Sequence, residues 1–183
     1  MRVIILGTSG AGKSTFAKHL AEARGCPYVD LDDLHWEPGW IEAPDEVMIE
    51  RLQAAIAAPA WVVAGNYAHL RDIHWPRATH LVWLDYSRPL VMRRVFVRTL
   101  RRWLRRETCC NGNRESLRMS FLSKDSILLW AWTSYHRRKT EFDGYFQTPP
   151  YPQLEMLRVK TPREAEGLLS ELSGANPATR QAG

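Results

Sequence analysis

Residues 7–14 carry the spacing in this sequence that most directly implies chemistry, since they read G-T-S-G-A-G-K-S. This matches the pattern G-x-x-x-x-G-K-[ST], in which glycines let consecutive backbone N–H groups curl around a phosphate. The lysine of the pattern, here Lys13, reaches the β- and γ-phosphate oxygens, and the hydroxyl of Ser14 ligates Mg²⁺. The pattern predicts a site for ATP and Mg²⁺. Its predicted phosphate-binding residues are Gly7, Thr8, Ser9, Gly10, Ala11, Gly12, Lys13, Ser14 and Thr15.

The flanking segments supply the structural context that such a loop requires. Residues 3–6 form a short apolar run rich in β-branched residues, which predicts a buried strand. Residues 15–24 have the apolar spacing of a helix. Since a strand, a glycine loop and a helix follow in this order, the loop amides and the positive end of the helix dipole would face one anion.

Polar groups follow three further predicted strands. The second strand, 27–32, ends in Asp32; the third, 61–64, is followed by Gly65 and Asn66; the fourth, 80–85, ends in Asp85. A fifth strand is predicted at 154–159 and a last helix at 162–172. Strands that alternate with helices predict an α/β fold on a parallel sheet, and ligands bind at the carboxyl edge of such a sheet. The sequence therefore predicts one site at that edge.

Positive charge is concentrated in one segment. The formal net charge is +5, yet residues 93–118 contain nine arginines and two glutamates, a local +7, so the rest of the chain sums to about −2. A long helix is predicted from Pro89 to about Arg106, with further helices at about 114–122 and 125–142. Arginines three and four residues apart share a helix face and repel each other, so a bound anion would explain them. A solvated helix face is the alternative.

Length and composition predict one domain over residues 1–172 and a small, polar, disordered tail at 173–183. No signal peptide or membrane span is expected, and three cysteines give no disulfide framework, which favours a cytoplasmic protein. The adjacent pair Cys109 and Cys110 lacks C-x-x-C spacing, so a zinc-bound lid is not expected.

Taken together, the motifs resemble those of P-loop kinases of the adenylate kinase and shikimate kinase type. The sequence is more similar still to the bacterial subgroup described as DNA topology modulation proteins or adenylate-kinase-like ATPases. The resemblance covers roughly the first 120 residues. Its matching motifs are G-T-S-G-A-G-K-S at 7–14, L-D-D-L-H-W at 31–36 with P-G-W at 38–40, W-V-V-A-G-N-Y at 61–67, L-D at 84–85, and the arginine helix from Arg93.

The resemblance implies a P-loop NTPase fold of three α/β/α layers, with a five-stranded parallel sheet in the order 2-3-1-4-5 and an arginine-rich lid. It places an acceptor-binding insert at about 33–60 and the lid at about 107–120. Asp32 would act as the base for the acceptor hydroxyl or as a ligand of Mg²⁺ through water. Capping of the next helix is the alternative for this residue. Arg94 and Arg98, by their offset from Asp85, would contact the transferring phosphoryl group.

The same resemblance implies an acceptor pocket that includes Asp32, Trp36, Asn66 and Arg71, with His35 and Trp40 as further wall residues; plain core is the alternative for the two tryptophans. Arg71 would hold an acceptor phosphate, and a solvated surface arginine is the alternative. Kinases of this type have an aspartate where this sequence has Ala64. Mg²⁺ would then depend on Ser14, Asp32 and Asp85.

Three functions are compatible with these expectations. The favoured one is transfer of the γ-phosphoryl group of ATP to a small molecule, such as a nucleoside, a nucleotide or another hydroxyl compound. Its predicted catalytic residues are Lys13, Asp32, Arg94 and Arg98. A nucleic-acid-associated ATPase or regulator would use the arginines to bind nucleic acid. A nucleotide-binding module with weak catalysis would fit the absence of an aspartate at Ala64.

Overall fold

The computed structural model describes residues 1–114 and 126–174 of the chain. Its strands in chain order are β1 (Arg2–Gly7), β2 (Tyr28–Asp30), β3 (Trp36–Glu37), β4 (Ile41–Glu42), β5 (Trp61–Ala64), β6 (His80–Leu84), β7 (Thr108–Cys109), β8 (Asn113–Arg114) and β9 (Glu155–Val159). Its helices are α1 (Lys13–Arg24), α2 (Leu31–His35), α3 (Asp45–Ala55), α4 (Arg71–His74), α5 (Arg88–Arg105), α6 (Ile127–Gln147) and α7 (Pro162–Leu172), with 3₁₀ turns at Ala68–Leu70 and Trp75–Arg77.

One parallel sheet organises the fold. Its strands are hydrogen-bonded in the order β2-β5-β1-β6-β9. Counted among these five strands alone, the order is 2-3-1-4-5, so the predicted topology is confirmed. The strands β3–β4 and β7–β8 form two separate antiparallel ribbons, which lie in the predicted acceptor insert and lid.

Both faces of the sheet are covered, which gives the predicted three layers. Successive residues of β1 are buried on opposite faces because side chains alternate along a strand. Val3 and Ile5 belong to one core with α1, α5 and α7, whereas Ile4 and Leu6 belong to a second core with α2 and α3. Each face of the sheet thus buries every second side chain of the central strands.

Helix α6 crosses from one core to the other. Ala131 and Tyr135 from its first half pack in the α1 core, and Phe142 from its second half packs in the α3 core. The residues between them therefore pass the carboxyl edge of the sheet, where Arg138 and Lys139 contact the ends of β5 and β6.

Sequence-based helix boundaries are accurate for α5 and α7 but not for α6. The last helix, α7, has the predicted bounds, and α5 begins and ends one residue before its predicted limits. The predicted bounds 125–142 for α6 are wrong, since the helix spans Ile127–Gln147. The helix predicted at 114–122 falls outside the described residues except for Arg114, which belongs to β8. The predicted tail lies outside them beyond Gly174.

Across residues 1–114 and 126–174, none of the helices combines the length and the apolar character that crossing a bilayer requires.

Glycine is required at the end of β5. Gly65 has φ +142°, and a Cβ there would lie 2.6 Å from Leu31 Cβ, so a side chain would be forced into the backbone segment that carries α2. In contrast, a Cβ at Gly144 in the last turn of α6 would meet no atom within 4 Å.

We therefore predict opposite effects for two glycine-to-alanine substitutions. Gly65→Ala should lower the free energy of unfolding by about 1–3 kcal/mol because it overpacks the contact with Leu31. Gly144→Ala should raise it by roughly 0.5–1 kcal/mol because alanine restricts the unfolded chain and favours the helix. Urea unfolding followed by circular dichroism measures both. A Gly65→Ala protein as stable as the parent would contradict the close approach of α2 to β5.

Candidate active site

The loop between β1 and α1 is held in a conformation that only glycine adopts readily. Gly10 and Gly12 have φ angles of +84° and +94°, in the left-handed region. A Cβ at Gly10 would clash with Val95 Cγ2 and would lie 3.0 Å from the carbonyl oxygen of Val91, both on α5. The loop therefore lies directly against the arginine helix, which agrees with a phosphate cradle.

Asn66 fixes the start of this loop. Its Nδ2 donates to the carbonyl oxygen of Gly7 at 2.6 Å, and its Oδ1 accepts from the Gly7 amide at 3.5 Å. The amide group thus binds both backbone groups of one loop residue. The structure gives Asn66 a role in positioning the loop in place of the predicted role in acceptor binding.

Lys13 is the point at which charges from four elements meet. Its Nζ donates to the carbonyl oxygen of Thr8 at 3.3 Å, and burial lowers the pKa of its ammonium group. Asp32 and Asp30 act in the opposite direction on this pKa, while Arg138 and Arg98 lower it further. Each of these charged groups is therefore close enough to interact with the Lys13 ammonium, while the catalytic roles of Lys13, Asp32 and Arg98 stay predictions.

Asp30 and not Asp32 caps helix α2. The Asp30 Oδ1 accepts from the Asp32 amide at 3.1 Å, and its Oδ2 accepts from the Tyr28 hydroxyl at 2.6 Å. The Tyr28 pKa is raised, chiefly by burial and by Asp30, and its hydroxyl also contacts the Ser14 side chain. The capping alternative for Asp32 is therefore wrong, and Asp30 is linked to the predicted Mg²⁺ ligand Ser14 through Tyr28.

The Asp32 carboxylate remains available to a ligand. Its residue is exposed, and its Oδ1 accepts a hydrogen bond of 2.8 Å from the Tyr67 hydroxyl. Burial, with repulsion from Asp30 and Asp32, raises the pKa of the neighbouring Asp33. The first turn of α2 is thus a concentrated negative region facing the Lys13 ammonium.

Aromatic rings cluster beside the start of α2; their role as a wall of the acceptor pocket stays a prediction. The His35 ring lies 4.6 Å from the Trp36 ring and 4.9 Å from the Tyr67 ring, and the Trp36 and Trp40 rings are 5.5 Å apart. His35, Trp36 and Trp40 are only partly buried or exposed, so they are not core residues. Tyr67 joins this aromatic group to Asp32.

Arg71 is engaged elsewhere, which contradicts its predicted role with an acceptor phosphate. Its guanidinium donates to Glu141 and to the Tyr145 hydroxyl, both on α6, and lies over the rings of Trp75 and Tyr145 at 5.4 and 5.1 Å. The hydrogen bond and charge of Arg71 help to hold the pKa of Glu141 below its usual range, against the opposing effect of burial. Arg71 therefore attaches α4 to α6.

Asp85 is likewise committed to an ion-pair network and does not fit a metal site. Its Oδ2 accepts from Arg158 Nη2 at 2.6 Å, its Oδ1 accepts from Lys139 Nζ at 3.0 Å, and its side chain is 4% exposed. Arg158 also pairs with Asp143 at 2.7 Å. Two cations already neutralise this carboxylate, so a third positive charge would be repelled. The prediction of Asp85 as an Mg²⁺ ligand is wrong.

The arginine helix has an inner face and an outer face. Arg94 Nη1 donates to the carbonyl oxygen of Ala11 at 3.2 Å and its guanidinium lies 5.0 Å over the Tyr86 ring. Arg98 is one turn further on, near Lys13. On the outer face, Arg101 and Arg105 lie 3.5 and 3.9 Å from Glu107. Arg94 therefore contacts the loop and Arg98 is close enough to act on Lys13, while contact of either with a transferring phosphoryl group stays a prediction.

Arg138 is a site residue that the sequence pattern indicated only weakly. Its Nη1 donates to the carbonyl oxygen of Asn66 at 3.2 Å, and burial lowers the pKa of its guanidinium. Its position depends on the passage of α6 across the carboxyl edge of the sheet. A helical pattern gives no information on that path.

Two asparagines fasten the hairpin at residues 108–114 to the acceptor insert; we call this contact the lid clasp. Asn113 Oδ1 accepts from the amides of Gly39 and Trp40 at 2.7 and 3.0 Å, and its Nδ2 donates to the carbonyl oxygen of Glu37 at 2.9 Å. Asn111 Nδ2 donates to the carbonyl oxygens of Asp33 and Trp36 at 2.8 and 2.7 Å. The clasp joins the described part of the predicted lid to the acceptor side; the rest of that lid, 115–120, lies outside the described residues.

Cys110 lies inside the clasp. Its pKa is raised by a hydrogen bond with the Cys109 thiol, by burial and by the charges of Asp32 and Asp33. The described residues contain no group of three or more His, Cys, Asp or Glu side chains arranged to hold a metal ion.

Asn113→Ala should open the clasp. The substitution removes the acceptor of the Gly39 and Trp40 amide bonds, so hydrogen exchange of these two amides should accelerate about tenfold, the equivalent of one or two hydrogen bonds. Asn113→Asp keeps the acceptor oxygen but places a second oxygen against the carbonyl oxygen of Glu37, so it should preserve only part of their protection. Exchange measured by NMR distinguishes the two variants; equal protection in Asn113→Ala and the parent would contradict the clasp.

Comparisons with known proteins agree with this geometry. The model of the family AAA_18, described as an AAA domain, matches residues 3–119. A putative adenylate kinase from Pyrococcus furiosus is 47% identical over 51 residues, which cover 27% of this chain and 28% of that protein. A gluconokinase from Arabidopsis thaliana is 52% identical over 33 residues, 18% of each chain. The matches thus span less than a third of either relative.

The crystal structure of a gluconokinase from Sinorhizobium meliloti 1021 has a similar fold. It superimposes with a TM-score of 0.50 at 21% sequence identity and covers 94% of this chain and 93% of its own. The likeness supports the three-layer architecture. The family match extends from β1 through the arginine helix and the clasp asparagines, which are the elements that build the site. The chain belongs to the AAA_18 family of AAA domains.

Proposed function

We propose that this protein is a kinase that transfers the γ-phosphoryl group of ATP to a hydroxyl group of a small molecule. The observation that carries the proposal is the arrangement around Lys13: an ammonium on a phosphate-binding loop, a carboxylate opposite it at Asp32, and guanidiniums at Arg98 and Arg138. A carboxylate near the cations could take the proton of an acceptor hydroxyl while the cations bind the phosphates. Phosphoryl transfer to a hydroxyl needs both.

The phosphate tail fits the loop on steric and electrostatic grounds. Left-handed Gly10 and Gly12 leave no side chain over the loop, and the amides that follow lie at the start of α1. Loop amides and the helix N-terminus attract an anion. Lys13 Nζ now donates a hydrogen bond to a neutral carbonyl oxygen, that of Thr8. Phosphate oxygens would replace that partner with a charged one, which is the stronger interaction.

Mg²⁺ fits the residues at the end of β2. Ser14 contacts the Tyr28 hydroxyl, which donates to Asp30, and Asp32 follows two residues later. Hydroxyl and carboxylate oxygens are the ligands that this ion prefers, often through water. We propose Ser14, Asp30 and Asp32 as its holders, with Ala64 supplying no ligand. The ion would neutralise charge on the β- and γ-phosphate oxygens.

Asp32 is the proposed base. Its Oδ1 already accepts a hydrogen bond from one hydroxyl group, that of Tyr67. An acceptor hydroxyl in the same position would transfer its proton to Asp32 while its oxygen forms a bond with the γ-phosphorus. The bond from that phosphorus to the β-phosphate oxygen breaks, and ADP leaves. The aromatic rings of Trp36 and Tyr67 would form the wall behind the acceptor.

Arg94 and Arg98 would stabilise the charge that spreads over the γ-phosphoryl oxygens. Arg94 lies across Ala11 on the loop and Arg98 lies beside Lys13. Guanidinium groups match such oxygens with paired hydrogen bonds. We further propose that residues of about 33–60 form the acceptor insert and about 107–120 the lid, which the clasp holds together over the site.

The arrangement of the arginines favours this function over direct nucleic-acid binding. The arginines nearest the loop face inward, and two on the outer face pair with Glu107. A gel shift with bare DNA at increasing salt tests the alternative, because phosphate contacts give a steep dependence on salt.

The alternative of a nucleotide-binding module with weak catalysis rests on Ala64, which is fully buried in β5.

Lys13→Ala should reduce ATP turnover by about 100-fold or more while the fold is kept, because it removes a group that binds charge in the transition state. Lys18→Ala, on the exposed face of the same helix, is the matched control and should leave turnover unchanged. ADP release measured in the presence of candidate acceptors, with thermal unfolding as the check on folding, provides the test. Normal turnover in folded Lys13→Ala protein would refute the proposal.

A further inference from the structure

The hairpin of the lid clasp contains a feature that phosphoryl transfer does not use: two adjacent cysteine thiols in contact. Cys109 is in β7, paired with Asn113, and Cys110 begins the turn. Consecutive residues of a strand point to opposite faces. Cys110 leaves the strand with a left-handed φ of +40°, and its thiol returns to hydrogen-bond with that of Cys109.

Both thiols are reachable, and they are placed at the acceptor side of the site. Cys109 and Cys110 are partly exposed. Cys110 is close enough to Asp32 and Asp33 for their charges to affect it, and it is also close to Tyr67. A group bound between the two sulfurs would therefore lie next to the proposed base and its hydrogen-bond partner.

We propose that Cys109 and Cys110 form a dithiol binding site for neutral trivalent arsenicals, and that its occupation blocks the acceptor side of the active site. A metal ion that needs three or four protein ligands is not provided for among the described residues. Trivalent arsenic that already carries one organic group needs only two sulfurs. The blocking part of this inference rests on the proposed function.

The local charge selects a neutral ligand and disfavours oxidation to a disulfide. Asp32 and Asp33 lie beside the hairpin, so their negative charges repel anionic disulfides that approach the two sulfurs. Condensation with a neutral oxide such as phenylarsine oxide needs no change of oxidation state. Two sulfur–arsenic bonds form, the two thiol protons leave with the oxide oxygen as water, and arsenic stays trivalent.

The first test counts thiols and is independent of activity. The chain has three cysteines, so a native protein treated with phenylarsine oxide should keep one reactive thiol, that of Cys26, and bind one phenylarsenic group by mass spectrometry. Cys109→Ser and Cys110→Ser should each keep both remaining thiols, whereas Cys26→Ser should lose both. A dithiol such as dithiothreitol should reverse the reaction, and an equal concentration of a monothiol should not. Three thiols remaining in the treated parent would overturn the site.

The second test locates the effect. Binding of an ATP analogue, measured by calorimetry, should be unchanged in the treated protein, while acceptor-dependent turnover should fall about tenfold or more and should return with dithiothreitol. Cys110→Ser should keep its turnover under the same treatment. Loss of ATP binding, or full turnover with the adduct in place, would overturn the blocking role. If no acceptor supports turnover in untreated protein, the proposed function fails, and the thiol count still decides the dithiol site.

Discussion

A partly buried ammonium group is the constraint on which the rest of this structure depends. Burial disfavours the charge of Lys13, and the carboxylates at the start of α2 offset that cost. Guanidiniums beside the same group add repulsion, so the site has an excess of positive charge near the loop and negative charge at α2. An anion that carries a metal ion would satisfy both regions at once. Magnesium-bound ATP has that distribution of charge.

Helix α6 brings charged side chains to the carboxyl edge of the sheet, where the candidate site lies. Its two halves are buried in different cores, and its middle must therefore cross the carboxyl edge. Arg138 reaches the end of β5 there, and Lys139 neutralises Asp85 at the end of β6. Asp85 holds the edge of the sheet together through Arg158 of β9 as well. The acid that follows β6 is thus a structural anchor, whereas Asp32, which follows β2, is exposed and accepts a hydrogen bond from the Tyr67 hydroxyl.

The sequence predicted the elements whose chemistry is local. The glycine loop, the order of the strands and the inward placement of Arg94 and Arg98 follow from motif spacing and from helical periodicity. The roles of Asp85 and Arg71 could not be predicted in this way, because their partners on α6 and β9 are more than 50 residues away. Asn66 was misassigned for a related reason. Its position after β5 is right, but its side-chain amide is hydrogen-bonded to the backbone of Gly7 at the end of β1. The clasp depends on Asn111 and Asn113, which read in sequence as ordinary turn residues.

The central claim is that Lys13 and the loop amides bind the terminal phosphates of a nucleotide, and calorimetric titration tests it most directly. With Mg²⁺ present, a non-hydrolysable ATP analogue should bind, and AMP should bind about 100-fold more weakly or not at all, since it lacks the phosphates that the ammonium and the amides contact. Equal affinity for the two nucleotides, or no heat with either on folded protein, would contradict the account.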